Sequence, residues 1–144
     1  MTYQPDLSRY DYFPETVPAG VRALNVGWLD SDHEFPRGEV SEDFLDGLFV
    51  ACRDHRAAVT RGLYRCPFCK TSDRPTEYPP PPATATRGKE TVVLGNAEVR
   101  FLGDDPSTWL IAPTLAFHYI EAHGYRPPDV FIDAVVAQRF APSG

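Results

Sequence analysis

The stretch RGLYRCPFCKTSDRP, residues 61–75, decides how this sequence is interpreted, because it places two thiols three positions apart. The Cys66 and Cys69 pair could be half of a metal site, a reversible disulfide, or two buried apolar side chains. A structural zinc site takes four Cys or His ligands in a tetrahedron. A zinc site at this knuckle therefore requires two further ligands elsewhere in the chain.

Two histidines in the segment HYIEAH, residues 118–123, supply the missing ligands. Residues five apart on an ideal helix diverge by about 140°, so both imidazoles can face one ion only if the helix tightens or ends there. Gly124 follows at once and favours such an ending. The spacing also lies within the range found in zinc fingers. We therefore predict a Zn²⁺ site formed by Cys66, Cys69, His118 and His123.

Four protein ligands close the coordination shell of zinc, which favours a structural ion over a catalytic one. Structural zinc binds finger peptides with roughly 10–16 kcal/mol at neutral pH. Whole domains are stable by only about 5–15 kcal/mol. We therefore expect the segment after Cys66 to lose its fold when the ion is removed.

A redox function for Cys66 and Cys69 is the main chemical alternative, because CPFC resembles the active-site motif of glutaredoxin-like proteins. In such proteins the first cysteine opens a helix whose N-terminus lowers the thiol pKa. Here the proline-rich segment KTSDRPTEYPPPP follows, and it cannot form that helix. A metalloenzyme is a further alternative, and it would need an open ligand position on the ion.

The remaining pattern predicts an α+β fold with a small antiparallel sheet and about three helices. Ser41 is a plausible N-cap, followed by an apolar stripe at helical spacing: Phe44, Leu45, Leu48, Phe49 and Cys52. Further helices are expected from Pro113 to Gly124 and from Pro127 or Pro128 onward. Strands are expected over 22–29 and 107–112, and a hairpin over 91–102 that turns at Gly95-Asn96.

The length of 144 residues favours a single zinc-stabilised domain over residues 1–144. Residues 1–20 alternate aromatic side chains with prolines and are expected to form an irregular arm on the core. Residues 73–90 contain four consecutive prolines, which favour an extended polyproline II link inside the domain.

The charge distribution favours a protein partner. Residues 1–60 carry eleven acidic and five basic side chains, whereas residues 61–144 carry nine of each. We expect the acidic, aromatic-rich first half to contact that partner. Nucleic-acid binding is the alternative, and it would use the Arg61–Arg74 patch, which is too small to hold a DNA duplex by itself. The patch consists of Arg61, Arg65, Lys70 and Arg74.

A second polar cluster, Asp30, Asp32, His33 and Glu34, precedes the first predicted helix. Carboxylates with an imidazole can hold a hard cation or act as acid and base, although a solvated acidic loop is the simpler interpretation. The sequence contains no phosphate-binding glycine loop, no G-x-S-x-G and no H-E-x-x-H motif. No enzyme class is therefore indicated, and an enzyme is less favoured than a binding protein.

The sequence features favour a cytoplasmic protein that does not enter a membrane. No stretch approaches about 18 consecutive apolar residues. The first seventeen residues lack a basic segment followed by an apolar run. Three cysteines, two of them in a Cys-x-x-Cys pair, are not typical of a secreted disulfide framework.

Two resemblances extend this interpretation. The knuckle, β-element and two-histidine helix resemble a Cys2His2 zinc finger with a long insertion, because 48 residues separate the pairs instead of about 12. That resemblance implies the ligand geometry and not the DNA-binding role. Five blocks resemble a family of small uncharacterised bacterial proteins, which implies a free-standing domain without an assigned activity: LNVGWLD (24–30), RGLYRCPFC (61–69), GNAEVR (95–100), APTLAFHYIEAHGYRPP (112–128) and FIDAVV (131–136).

Overall fold

The computed structural model describes residues 3–69 and 82–142. Besides a short 3-10 helix at Pro14–Thr16, the regular elements in chain order are β1 (Arg22–Asn25), α1 (Glu42–Asp54), β2 (Arg56–Ala57), β3 (Thr84–Arg87), β4 (Glu90–Val93), β5 (Glu98–Leu102), β6 (Thr108–Pro113), α2 (Ala116–His123) and α3 (Asp129–Val136). Within these residues, three α-helices and two small sheets confirm the predicted α+β class.

The main sheet has the strand order β1-β6-β5-β2. Strands β5 and β6 pair antiparallel, as do β2 and β5, in agreement with the prediction. Strand β1 is an exception to the predicted small antiparallel sheet, because it runs parallel to β6 with Arg22 opposite Thr108. A parallel pair needs a long crossover connection, and here α1, the knuckle and the second sheet all lie between these strands in the chain.

The predicted hairpin at Gly95-Asn96 is also wrong. The second sheet is a hairpin of β3 and β4 that turns after Arg87, which lies opposite Glu90. Residues 84–87, in the predicted proline link, therefore lie in β3, while residues 73–81 of that link lie outside the described residues. Gly95 instead contacts the segment before the knuckle.

Gly95 has a φ of +103°, and an added Cβ would overlap the carbonyl oxygen of Tyr64. The Tyr64 N–H donates to the Gly95 carbonyl at 2.9 Å, and the Thr60 N–H donates to the Asn96 carbonyl at 2.7 Å. These contacts dock residues 60–64 onto the chain between β4 and β5. The Gly95-Asn96 pair thus forms a long-range contact and not a hairpin turn.

Helix α1 forms as the sequence predicts. The Ser41 hydroxyl accepts a hydrogen bond from the Phe44 N–H at 3.1 Å, which satisfies one free donor of the first turn. The stripe of Phe44, Leu45, Leu48, Phe49 and Cys52 is buried in the main core, and each large apolar side chain there contributes roughly 1.5–3 kcal/mol.

Both faces of the main sheet are covered. One face packs against α1 and α3 through Val99, Phe101, Leu110 and Ala112. The other face is covered by the N-terminal arm, which forms a second apolar cluster with the sheet: Tyr10, Ala23, Trp28, Trp109 and Ile111. Backbone bonds, such as the one from the Tyr10 N–H to the Ala23 carbonyl at 2.9 Å, hold the arm along β1.

A buried polar cluster fixes the arm to β5. Arg100 lies 2.8 Å from Glu98, with both side chains at least nine-tenths buried. The Tyr10 hydroxyl donates to Glu98 at 2.7 Å, and Arg100 donates to the Thr16 hydroxyl at 2.6 Å. Burial raises the pKa of the Glu98 carboxyl, against the opposing effects of its hydrogen bonds to Tyr10 and Arg100. The ionised form of the buried Glu98 carboxyl is therefore stabilised by Tyr10 and Arg100.

Candidate metal centre

The knuckle at Cys66–Cys69 begins as the chain leaves its contact with Gly95. The chain turns at Pro67 and Phe68, and the Phe68 N–H donates to the Cys66 sulfur at 3.3 Å. This tight turn brings both sulfurs to one side. Cys66 is buried, whereas Cys69 is exposed.

Helix α2 presents the two histidines from the other side. It begins at Ala116, three residues later than predicted, because Pro113 is the last residue of β6. It ends at His123, since Gly124 adopts the left-handed conformation with a φ of +73°. The imidazole centroids of His118 and His123 lie 5.1 Å apart, so the helix end allows the predicted convergence.

The structure brings the four predicted ligands together. The Cys66 sulfur lies 3.3 Å from Nε2 of His123, and the Cys69 sulfur lies 3.2 Å from Nε2 of His118. All four ligand atoms lie within 4.8 Å of one another. Zinc with ordinary Zn–S and Zn–N bonds places tetrahedral sulfur and nitrogen atoms about 3.6 Å apart. The four side chains are therefore positioned to bind a metal ion.

Aromatic packing holds the knuckle against the body of the protein. The Phe68 ring contacts the rings of Phe35 at 5.2 Å, Tyr119 at 5.6 Å and His123 at 5.3 Å between centroids. The Arg37 guanidinium lies 4.5 Å above the Phe35 ring and donates to the His123 carbonyl at 3.1 Å. Phe35 and Arg37 were not predicted to support the site, because the sequence gives no periodic signal in this loop.

The protonation states follow from burial. Burial raises the pKa of the Cys66 thiol to about 11. Burial lowers the pKa of His118, with a further contribution from His123, and it lowers the pKa of His123 together with the charge of Arg37. At neutral pH the imidazoles are therefore in the neutral form that binds metals, whereas Cys66 must lose a proton to become a ligand.

The acidic cluster at residues 30–34 is a loop with internal hydrogen bonds. Asp30 accepts from the Asp32 N–H at 3.2 Å and bonds to Nδ1 of His33 at 2.7 Å. The His33 ring stacks on Tyr3 with 3.8 Å between centroids. Within residues 3–69 and 82–142, the cysteines and histidines of the knuckle and α2 form the one group arranged for a metal ion.

The basic patch is only partly described by the structure. Arg61 is exposed and Arg65 is half-buried, whereas Lys70 and Arg74 lie outside the described residues. No helix in the described part of the chain is long and apolar enough to cross a membrane.

An exposed apolar surface was not anticipated by the sequence analysis. The exposed side chains are Tyr12 from the arm and Val59, Leu63 and Tyr64 from the segment before the knuckle, and we call this set of residues the aromatic surface. The hydroxyls of Tyr12 and Tyr64 lie 3.1 Å apart, so the two parts are in contact. Beside it, the rings of Tyr12, Phe13, Trp28 and Tyr64 line a cavity of about 20 Å³.

A comparison with protein families gives a match over most of the chain. A family model with the description "Domain of unknown function (DUF7919)" matches residues 2–136, which include the arm, both sheets and all four candidate ligands. No curated protein and no solved structure matches the chain.

Proposed function

The chain belongs to the family of the domain of unknown function DUF7919, and we propose that it is a small zinc-binding protein with a structural Zn(Cys2His2) site. The observation that supports this proposal is the convergence of four ligand atoms within 4.8 Å. Two thiolates and two imidazoles in a tetrahedron are typical of zinc. Because four protein ligands fill the shell, the ion has no position left for a substrate.

The ion joins two distant parts of the chain. Cys69 and His118 are 49 positions apart, and the β3–β4 hairpin, β5 and β6 lie between them. Residues 58–69 contain no helix or strand, so hydrogen bonds near Gly95, the Phe68 packing and the ion hold this segment. Zinc binding of roughly 10–16 kcal/mol is large enough to decide whether such a segment is ordered.

Metal analysis of three purified proteins tests the site. Wild type and Cys52→Ala should each retain about one zinc per chain, because Cys52 is buried in the core and lies outside the ligand group. Cys66→Ser has the same number of thiols as Cys52→Ala but should lose the ion. Retention of zinc at the wild-type ratio by Cys66→Ser would contradict the proposal.

We further propose that the zinc-stabilised domain is a cytoplasmic protein-interaction module. The contact between the exposed Tyr12 and Tyr64 side chains supports this role, because contiguous exposed apolar side chains often form interaction sites. The aromatic-surface residues Val59, Leu63 and Tyr64 lie within seven positions before Cys66, so the ion would help to hold them in place. The three cysteines are free thiols in the structure, which agrees with a reducing compartment.

Partner capture with matched surface variants tests this role. Leu63→Ser should keep the zinc content and stability of the wild type but lose a partner that the wild type captures. Val136→Ser is the control, because Val136 is also exposed and lies on α3, outside the aromatic surface. Equal capture by wild type and Leu63→Ser would exclude the aromatic surface as the binding site.

A further inference from the structure

We propose that Cys69 is a peroxide-reactive site, and that its oxidation forms a Cys66–Cys69 disulfide that releases the metal ion. This inference concerns the regulation of the candidate metal centre and rests on the proposed function. It follows from a difference in exposure between two sulfurs that share one site.

The three cysteines differ in their access to a solvent oxidant. Cys69 is exposed, whereas Cys66 is only 8% exposed and Cys52 is fully buried. A thiolate, not a thiol, is the form that reacts with peroxide. Binding to a metal ion deprotonates a thiol, so the loaded protein holds Cys69 as a thiolate at its surface. Cys69 is therefore the expected first point of attack.

Cys66 is positioned to resolve the oxidised Cys69. The two sulfurs belong to one ligand group whose atoms lie within 4.8 Å of one another. A disulfide requires them to approach to about 2.05 Å. The Cys66 sulfur is fixed by the Phe68 N–H, so the exposed Cys69 side chain is the one expected to move. Cys52 lies outside this group, and its burial raises its thiol pKa to about 12, so it is a poor competitor.

The reaction balances with hydrogen peroxide as the oxidant. The Cys69 thiolate attacks one peroxide oxygen, the O–O bond breaks, and Cys69 sulfenic acid and hydroxide form. The Cys66 thiolate then attacks the Cys69 sulfur, the S–O bond breaks, and a second hydroxide leaves. Two electrons pass from the sulfurs to the peroxide, and two protons from solvent convert the hydroxides to water.

Disulfide formation removes half of the coordination shell. The ion would keep only His118 and His123, and two imidazoles on a partly exposed helix end hold zinc far more weakly than four ligands. The same step withdraws the link between the knuckle and α2. Oxidation would therefore loosen the segment that carries Val59, Leu63 and Tyr64, leaving it held by the hydrogen bonds near Gly95 and the Phe68 packing. Peroxide would in this way alter the aromatic surface.

The first experiment uses the full chain loaded with zinc under reducing conditions. Its metal content is measured before hydrogen peroxide is added, and zinc release is then followed with a chromogenic chelator alongside thiol counting and peptide mapping. We expect one zinc and two thiols to be lost on the same time course, with a Cys66–Cys69 disulfide and recovery on reduction. If the reduced chain holds no zinc, the proposed function fails. If it holds zinc but peroxide releases none, only this inference fails.

Two ligand-exchange variants test the order of attack. Cys66→His and Cys69→His each keep four zinc ligands but cannot form the disulfide. A sulfenic-acid probe should label Cys69 in the first variant at least about tenfold faster than Cys66 in the second, because exposure controls the reaction. Equal labelling would overturn the proposed order. If either variant fails to bind zinc, the peroxide reaction of the wild type is stopped early instead. The sulfenic-acid probe must then be found on Cys69 and not on Cys66.

Discussion

The sulfur of Cys66 lies 3.3 Å from Nε2 of His123, although 57 positions separate the two residues in the chain. This contact joins a loop without regular structure to the last residue of α2. Both atoms are metal-ligand types at a separation that one shared ion would allow. The stability of the knuckle should therefore depend on metal.

Removal of the metal should unfold the protein locally. With a chelator present, amide hydrogen exchange should accelerate in residues 58–69 and at the end of α2, since both lose their cross-link. The interior of α1 should keep its protection, because its buried stripe packs in the main core. Uniform acceleration of amide hydrogen exchange in α1 and the knuckle would contradict a local role.

Excess free zinc at about 1,000 times its Kd should add about 4.1 kcal/mol to the free energy of unfolding.

Zinc affinity should fall as the pH falls. The raised pKa of Cys66 means that its thiol is protonated in the empty site at pH 7, so the ion must displace at least that proton. For each proton released, the apparent Kd should weaken about tenfold per pH unit lowered. Calorimetry in two buffers with different ionisation enthalpies measures the number of protons released when zinc binds. A Kd that is the same at about pH 8 and at about pH 6.5 would refute the proton displacement.

Substitution of Gly124 should disturb the end of α2. Gly124→Ala places a Cβ in open space but forces alanine to adopt a φ of +73°, which should lower the free energy of unfolding by roughly 1 kcal/mol. Zinc affinity should weaken as well, because this turn lets His118 and His123 converge. Gly62→Ala is the control, since Gly62 also faces open space and has no positive φ. Equal effects of the two substitutions in denaturation and zinc titration would exclude the conformational explanation.

Loss of Arg100 should make stability depend on pH. Arg100→Met leaves the buried Glu98 carboxylate without its counter-charge, which should lower the free energy of unfolding by about 3–5 kcal/mol near neutral pH. The folded-state pKa of Glu98 is already raised and should rise further. The neutral form then stabilises the fold at acid pH, and this stability is lost as the pH rises through the folded pKa.

Denaturant titrations of Arg100→Met at acid and neutral pH measure this difference. The double variant Glu98→Gln with Arg100→Met is the control, because the amide side chain carries no buried charge and should recover part of the stability at neutral pH. If the single variant loses the same stability at both pH values, the buried carboxylate is not the cause.

The parts of the fold that depend on local signals were predictable from the sequence. Helix α1 follows from a cap and an apolar stripe. The proximity of the four candidate ligands follows from zinc-site spacing together with the helix end at Gly124. The class of fold follows from the same signals, since each helix has its own start and stop residues.

The parts that depend on distant pairing were not predictable. Gly95-Asn96 has the composition of a hairpin turn, but its conformation serves the contact with Tyr64. The parallel pairing of β1 with β6 depends on the path of the chain between them and not on either strand's residues. Phe35 and Arg37 support the knuckle through packing that no periodic pattern indicates.

The separation of the two ligand pairs sets an order of events during synthesis. Cys69 leaves the ribosome 49 positions ahead of His118, and Cys66 leaves it 57 positions ahead of His123. A nascent chain thus carries a bare dithiol while the hairpin, β5 and β6 are still being translated. A bound ion would gain all four ligands only once α2 has emerged, so complete metal loading would be a late event.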